Sequence, residues 1–167
     1  MAYILDKLRG SVNAAEDRRR FLMAQLLFWV MAAPDGHAKN FSISIGPKDS
    51  FWLTPFYDVM SAWPVIGTGA NHFQWQKFKL AMALHTKNTH YKISEIRRKH
   101  WNEAAKDNSV GADFEDAIQM VIEKTPTVIG QVEGLLGADF PAKVADSIFS
   151  GVREQIARLS SVPTLSK

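Results

Sequence analysis

The segment Phe21-Leu22-Met23-Ala24-Gln25-Leu26-Leu27-Phe28-Trp29-Val30-Met31 constrains this chain more than any other. It reads as helix, and it is apolar on every face, so it must be surrounded by protein. With its neighbours it forms a 13-residue apolar run from Phe21 to Ala33, shorter than the roughly 20 residues that cross a bilayer. Asn13 followed by Glu16 resembles a capping box, so the helix is expected from Asn13 to about Ala32, with Pro34 ending it. A short helix over Ala2 to Arg9, stopped by Gly10, precedes it.

A chain of 167 residues can enclose such a helix in one domain without staples. The absence of cysteine excludes a disulfide framework, a thiolate nucleophile and Cys-based metal sites, and it suits a reducing compartment. No basic and apolar leader opens the chain, and the expectation is a cytoplasmic protein without a membrane span.

After Pro34 comes a polar loop, Asp35-Gly36-His37-Ala38-Lys39-Asn40, where Asp-Gly favours a turn. Phe41-Ser42-Ile43-Ser44-Ile45 alternates with period two. Gly46-Pro47-Lys48-Asp49-Ser50 is turn chemistry and Phe51-Trp52-Leu53-Thr54 is extended, which predicts one β-hairpin. A hairpin centred between 48 and 49 returns Tyr57-Asp58 to the neighbourhood of Asn40. The Pro- and Gly-containing stretch from Val59 to Ala70 is expected on the surface, and Ile93 to Lys106 as a helix capped by Ser94. Phe114, Ile118, Val121 and Ile122 form one core-facing stripe; Val144, Ile148, Val152, Ile156 and Leu159 form another. Pro126 and Pro141 mark helix starts or breaks. The fold class is mainly α with an α+β element: a helical bundle with one hairpin, spanning residues 1–167 as a single domain.

The loop and the returning strand bring together Asp35, Asn40 and Asp58. Amide and carboxylate oxygens suit a hard cation such as Mg²⁺, and a third, free carboxylate can accept a hydroxyl proton. This is the pattern of a protein-kinase catalytic loop. Each residue alone has a plain structural explanation as a turn or cap residue; the symmetric placement about a hairpin favours function. A metal phosphohydrolase using Asp35, His37 and Asp58 fits the ligand types as well, but lacks the second ligand cluster of a two-metal site.

The motifs around these residues are Phe28-Trp29, Asp35-Gly36-His37-Ala38-Lys39-Asn40-Phe41-Ser42, Leu53-Thr54-Pro55-Phe56-Tyr57-Asp58-Val59, Ser61-Ala62-Trp63-Pro64-Val65 and Lys79-Leu80-Ala81-Met82-Ala83-Leu84. Together they resemble the C-terminal lobe of HipA-like toxins, the serine/threonine kinases of HipBA toxin–antitoxin systems. The resemblance implies a protein-kinase-like lobe, with Asp35 as catalytic base and Asn40 and Asp58 as Mg²⁺ ligands. It also implies ATP as cosubstrate, glutamyl-tRNA synthetase as protein substrate, and growth arrest and persistence as outcome. His37 and Lys39 become candidates for contact with phosphate or substrate. Pro34 departs from the Thr or Asn usual before the catalytic Asp. No Gly-rich phosphate loop or nucleotide-binding strand lysine is recognisable, and Gly67-Thr68-Gly69 is too short and lies after the hairpin. The expectation is therefore a lobe without its N-terminal nucleotide clamp, truncated relative to the family and inactive alone. It would self-associate or dock a separate N-terminal lobe through the apolar surface left behind.

The net charge of +3 conceals an asymmetry. Residues 76–106 hold 8 basic and 2 acidic side chains, whereas residues 107–167 hold 5 and 9. The resemblance implies a HipB-like antitoxin and operator DNA as partners, which makes Lys92, Arg97, Arg98 and Lys99 candidate contacts; a solvated helix face explains the same charges. A non-catalytic module that docks antitoxin, DNA or the N-terminal lobe is the competing function. His72, His85, His90 and His100 have no metal-ligand spacing and read as structural, and the aromatics at 28, 29, 51 and 52 read as core.

Overall fold

The long helix runs from Ala14 to Val30 in the computed structural model, which describes residues 1–161. In chain order the elements are α1 (Ala2–Lys7), α2 (Ala14–Val30), β1 (Ile43–Ile45), β2 (Phe51–Leu53), β3 (Lys79–His85), β4 (Thr89–Lys92), α3 (Arg98–Asp107), α4 (Glu115–Leu135) and α5 (Ala142–Ser160), joined by short 3₁₀ turns.

Asn13 occupies the N-cap of α2, but its side chain makes no capping hydrogen bond. Ser11 and Asp17 do that work. The Ser11 hydroxyl accepts the Asn13 N–H at 3.0 Å and donates to Asp17 Oδ2 at 2.5 Å. Asp17, in the first turn where the helix dipole favours an anion, also accepts the Leu53 N–H at 2.8 Å and so ties β2 to α2.

The other end of α2 is a Schellman motif. Ala32 has φ 46°, its N–H donates to Trp29 O at 3.2 Å, and the Ala33 N–H donates to Phe28 O at 2.8 Å. That arrangement satisfies two orphan carbonyls without a glycine. A left-handed alanine costs about 1 kcal/mol, and Ala32 and Ala33 pay it by being fully buried. The helix thus ends before Pro34, which follows the stop and does not cause it.

Enclosure of α2 is incomplete. Phe21, Leu22, Leu26 and Trp29 are fully buried, but Leu27 is 40% exposed and Met23 and Met31 are half-buried. One flank of a helix whose sequence demands cover is left open.

The main core lies between α2, α3, α4 and α5. Trp29 meets Trp101 edge-on, with ring centroids 6.2 Å apart, and its indole N–H donates to Ile93 O at 2.9 Å. The stretch after Val59 is not purely surface. Trp63 is buried, donates its indole N–H to Val30 O at 3.2 Å, and lies so close over α5 that a Cβ on Gly151 would come within 2.1 Å of its ring.

Two antiparallel hairpins replace the single expected one, β1–β2 and β3–β4. The second pairs Lys79 with Lys92 and Leu84 with His90, with an irregularity between. Leu80, Met82 and Leu84 point inward with period two, a pattern blurred in the sequence by Ala81 and the buried Ala83. Helix α3 starts at Arg98, later than expected, after a 3₁₀ turn over Ile93–Glu95. Pro126 neither starts nor ends a helix but sits inside α4, whereas Pro141 is the N-cap of α5. Phe114, Ile118 and Val121 are buried as expected; on α5 the buried line is Ala145, Phe149, Val152 and Leu159. No described helix is long and apolar enough to cross a membrane.

Candidate active site

The loop after α2 begins against that helix. An added Cβ on Gly36 would stand 2.8 Å from the Phe28 ring, so only glycine lets the backbone lie this close. The His37 N–H donates to Asp35 O at 2.7 Å and the Asn40 N–H to His37 O at 3.0 Å, which folds residues 38–40 into a 3₁₀ turn. Asn40 is thereby buried at 8% exposure, while Asp35 faces solvent.

The hairpin supplies the third residue. Its ladder pairs Ile43 with Leu53 and Ile45 with Phe51, so it is centred on Lys48, half a residue from the expected centre. The position facing Asn40 across this register is Phe56. Asp58 comes back to the loop through a left-handed backbone, φ 58°, a conformation that Asp tolerates better than most residues.

Asn40 gathers the group. Its Nδ2 donates to Asp35 O at 2.7 Å and to Asp58 Oδ2 at 3.4 Å. Both amide hydrogens point at these partners, and Oδ1 has no protein donor among the described residues. The result is one side-chain amide that joins the Asp35 backbone to the Asp58 carboxylate, with the exposed Asp35 carboxylate on the same loop. Oxygen donors of this kind fit a hard divalent cation that takes its remaining ligands from water and phosphate. Nearby, His37 Nε2 lies 3.2 Å from Asp35 Oδ1, and His37 Nδ1 is buried without a partner. Lys39 is exposed; its carbonyl accepts the Tyr57 hydroxyl at 3.2 Å. Among the described residues, no three His, Cys, Asp or Glu side chains group to hold a metal, so a site here depends on the Asn40 amide.

Sequence reasoning missed what spaces the two arms. Phe41 stands edge-on to Phe21 at 4.8 Å and to Phe56 at 5.8 Å, and packs against Phe28 at 6.1 Å. This aromatic row runs from α2 under both arms. Ser42 Oγ meets Tyr57 Oη at 2.8 Å, and the Thr54 N–H donates to Ser42 O at 3.0 Å, closing the base of the hairpin. Phe41 follows Asn40, and Phe56 precedes Asp58 by two. That closeness of a phenylalanine to each of Asn40 and Asp58 was the available signal.

Other expected features fall elsewhere. Gly67 and Gly69 both pack on the His72 ring, where added Cβ atoms would come within 3.1 and 2.5 Å, so this segment folds on itself. Three of the four candidate contacts in the basic stretch are held by the protein itself. Lys92 pairs with Glu95 at 2.8 Å, and Arg97 donates to Ser94 O and Ile96 O at the N-cap of α3. Arg98 forks onto Glu115 and donates to Leu159 O at 3.1 Å, bolting α3 to α4 and α5. That bond holds the Glu115 carboxyl below its ordinary value and raises Arg98 above its own. Of the four candidate contacts Arg97 and Lys99 are exposed without an ion-pair partner among the described residues, and only Lys99 also makes no side-chain hydrogen bond there. His90 and His100 stack at 4.0 Å; burial, then the neighbouring His90, pushes His100 down to about 4. His100 Nδ1 accepts the Arg97 N–H at 3.1 Å, a structural role as expected.

Residues 1–129 match the family model for the HipA-like C-terminal domain, and the chain belongs to that family. Its fold is similar to a solved chain of the Shewanella oneidensis MR-1 toxin–antitoxin system, HipA with HipB and its operator DNA, at TM-score 0.76. The likeness takes in 95% of this chain at 15% identity, and it spans only 35% of that chain.

Proposed function

We propose that this chain carries the C-terminal half of a protein-kinase-type phosphoryl-transfer site. Asp35 receives the hydroxyl of the substrate and takes its proton, and Asn40 Oδ1 and Asp58 hold Mg²⁺. The observation that carries this reading is the Asn40 side chain, whose Nδ2 donates to Asp35 O at 2.7 Å and reaches Asp58 Oδ2 at 3.4 Å, while Oδ1 accepts no hydrogen bond from the described residues. Bound there with ATP, the ion would neutralise charge on the phosphates during transfer. Asp35, exposed on the same loop with His37 Nε2 at 3.2 Å from its Oδ1, would orient a protein serine or threonine. The family resemblance makes glutamyl-tRNA synthetase the first substrate to try and growth arrest the phenotype.

Catalysis by positioning is strongly non-additive. Without a Gly-rich loop and nucleotide lysine this chain alone should transfer no phosphate, although it should retain a weak divalent site. Manganese titration in the presence of ATP, followed by NMR line broadening, should single out Asn40 and Asp58 and fail in Asn40→Ala. Millimolar manganese without selective broadening there would remove the metal reading. Phosphoryl transfer by the isolated chain, abolished in Asp35→Ala, would show that the site is complete.

The second reading is a docking lobe for a HipB-like antitoxin and, through it, operator DNA. It is favoured by the assembly in which the Shewanella relative was solved and by the unpaired exposed Lys99.

A further inference from the structure

Two charges of the basic stretch are not used by the fold. Lys77 and Lys79 are exposed, and neither makes an ion pair among the described residues. Lys79 stands directly opposite Lys92 in the β3–β4 ladder, a like-charge pair that weakens a sheet. Lys92 is drawn off to Glu95 at 2.8 Å, which leaves the Lys79 charge uncompensated. The sheet gains nothing from that charge, so its use lies outside the fold.

Both lysines line one pocket of about 290 Å³, together with Pro34, Phe73, Gln74 and Phe78. Backbone bonds hold its walls. Residues Trp75–Lys77 form a 3₁₀ turn in which the Lys77 N–H donates to Gln74 O at 2.9 Å, and the Ile93 N–H donates to Phe78 O at 3.0 Å. Phe73 is clamped by its own N–H donating to Val65 O at 2.8 Å and by the Gly67 N–H donating to its carbonyl at 3.0 Å. Its ring leans on the buried Phe78, with centroids 5.7 Å apart. The pocket is therefore formed before any ligand arrives, with apolar walls from Pro34 and the two phenylalanines and cationic walls from the two lysines.

Its place matters as much as its charge. Pro34 is bonded to Asp35, so the pocket begins one residue from the proposed base. We propose that this pocket is the subsite for an acidic side chain of the polypeptide substrate, a glutamate or aspartate close in sequence to the serine or threonine presented to Asp35. Its role rests on the phosphoryl-transfer reading, whereas the anion site stands on its own geometry. An extended peptide advances about 3.3 Å per residue, so a side chain within about three residues of the acceptor spans the distance from Asp35 to a pocket that starts at its neighbour. Two features choose a peptide carboxylate over other anions. A concave pocket with apolar walls takes one side chain, methylenes against Phe73 and Pro34 and carboxylate between the lysines, whereas a duplex presents a convex row of phosphates. The nucleotide phosphates belong with the ion at Asn40 and Asp58, both of which follow Asp35 in the chain, while Pro34 precedes it.

The test follows amide NMR shifts of the chain during titration with the peptide Ala-Glu-Glu-Ser-Glu-Glu-Ala, against the same peptide with Gln for every Glu. The acidic peptide should bind saturably, about tenfold tighter than its neutral counterpart, and should move the amides of residues 73–79. Lys77→Gln or Lys79→Gln alone should weaken it about threefold and the two together about tenfold, whereas Lys99→Gln should leave it unchanged. Lys79→Gln should hold or raise the melting temperature, because it removes the cross-strand repulsion; a fall would return Lys79 to the fold and sink the proposal. Equal binding of the two peptides, shifts confined to other parts of the chain, or an equal loss with Lys99→Gln overturns it. So does tighter binding of a short DNA duplex at the same residues, which gives the pocket to nucleic acid, or of ATP without metal, which gives it to the nucleotide. The readout uses neither metal nor turnover, so failure here leaves the manganese test at Asn40 and Asp58 standing, and failure there leaves this one standing.

Discussion

The site loop with its hairpin and the basic stretch from 77 to 106 are both rich in polar side chains, yet the protein uses them in opposite ways. In the basic stretch Arg98, Arg97 and Lys92 are consumed by Glu115, backbone carbonyls and Glu95. Around Asn40 the backbone and the aromatic row do most of the holding, the two carboxylates meet only neutral or partly exposed neighbours, Asn40 Nδ2 and His37 Nε2, and the amide oxygen has no donor among the described residues. A charge that already has a partner is architecture; a fixed polar atom without one is available for chemistry.

Substitutions should separate the two regions cleanly. Asp58→Asn keeps a residue that tolerates the left-handed backbone but removes the charged ligand. It should weaken divalent binding about 100-fold, about 2.7 kcal/mol, with the melting temperature unchanged; a large loss of stability instead would make Asp58 structural. Arg98→Ala should do the reverse, costing about 1 kcal/mol in denaturant unfolding through loss of the partly exposed fork onto Glu115 and the bond to Leu159 O, and leaving divalent binding intact. Arg98→Lys should recover little, since a point charge cannot fork.

A third contrast comes from pH. His100 titrates at about 4 in the folded protein, against an ordinary value of 6.5. The unfolded chain therefore binds the proton first, and stability should fall as pH drops from about 6.5 toward 4, by at most about 3 kcal/mol. His100→Asn should flatten that window, and an unchanged slope would show that another group governs it. The smallest effect is expected at Lys99, whose replacement by alanine should move stability by less than about 0.5 kcal/mol. In a complex with duplex DNA it should reduce the salt dependence of affinity by about one charge, and an unaltered slope would take Lys99 out of the contact.

The sequence spoke clearly wherever one period dominated. The apolar block of α2, the alternation of β1 and β2 and the turn at 46–50 all form close to where they were read. The hairpin returns the chain to Asn40, as its ends must, but it is the left-handed backbone at Asp58 that brings that carboxylate to the Asn40 amide. The second hairpin was hidden because Ala81 and Ala83 sit between Leu80, Met82 and Leu84 and erase the contrast of alternation. Pro126 misled because surrounding contacts can outweigh one lost hydrogen bond. Arg98 looked like a free charge because its partner, Glu115, lies on another helix, and no local pattern announces a pairing across 17 residues. The aromatic row under the site was only hinted at by the phenylalanines close to Asn40 and Asp58, because Phe21 and Phe56 become neighbours of Phe41 only in three dimensions.

The seating of Trp63 on Gly151 gives the molecule a history in time. The tryptophan follows Asp58 closely, but its seat lies 88 residues later in the chain. At about 5–20 residues per second of synthesis, the segment beyond Asp58 waits about 4–18 s for α5 to leave the ribosome. The hairpin and loop can assemble early from local contacts, whereas Trp63 cannot be docked until nearly the last helix is made. During that interval Trp63 can stack on Trp75, 5.1 Å away between ring centroids, and bond Val30 O, but it lacks the Gly151 surface that finally covers it.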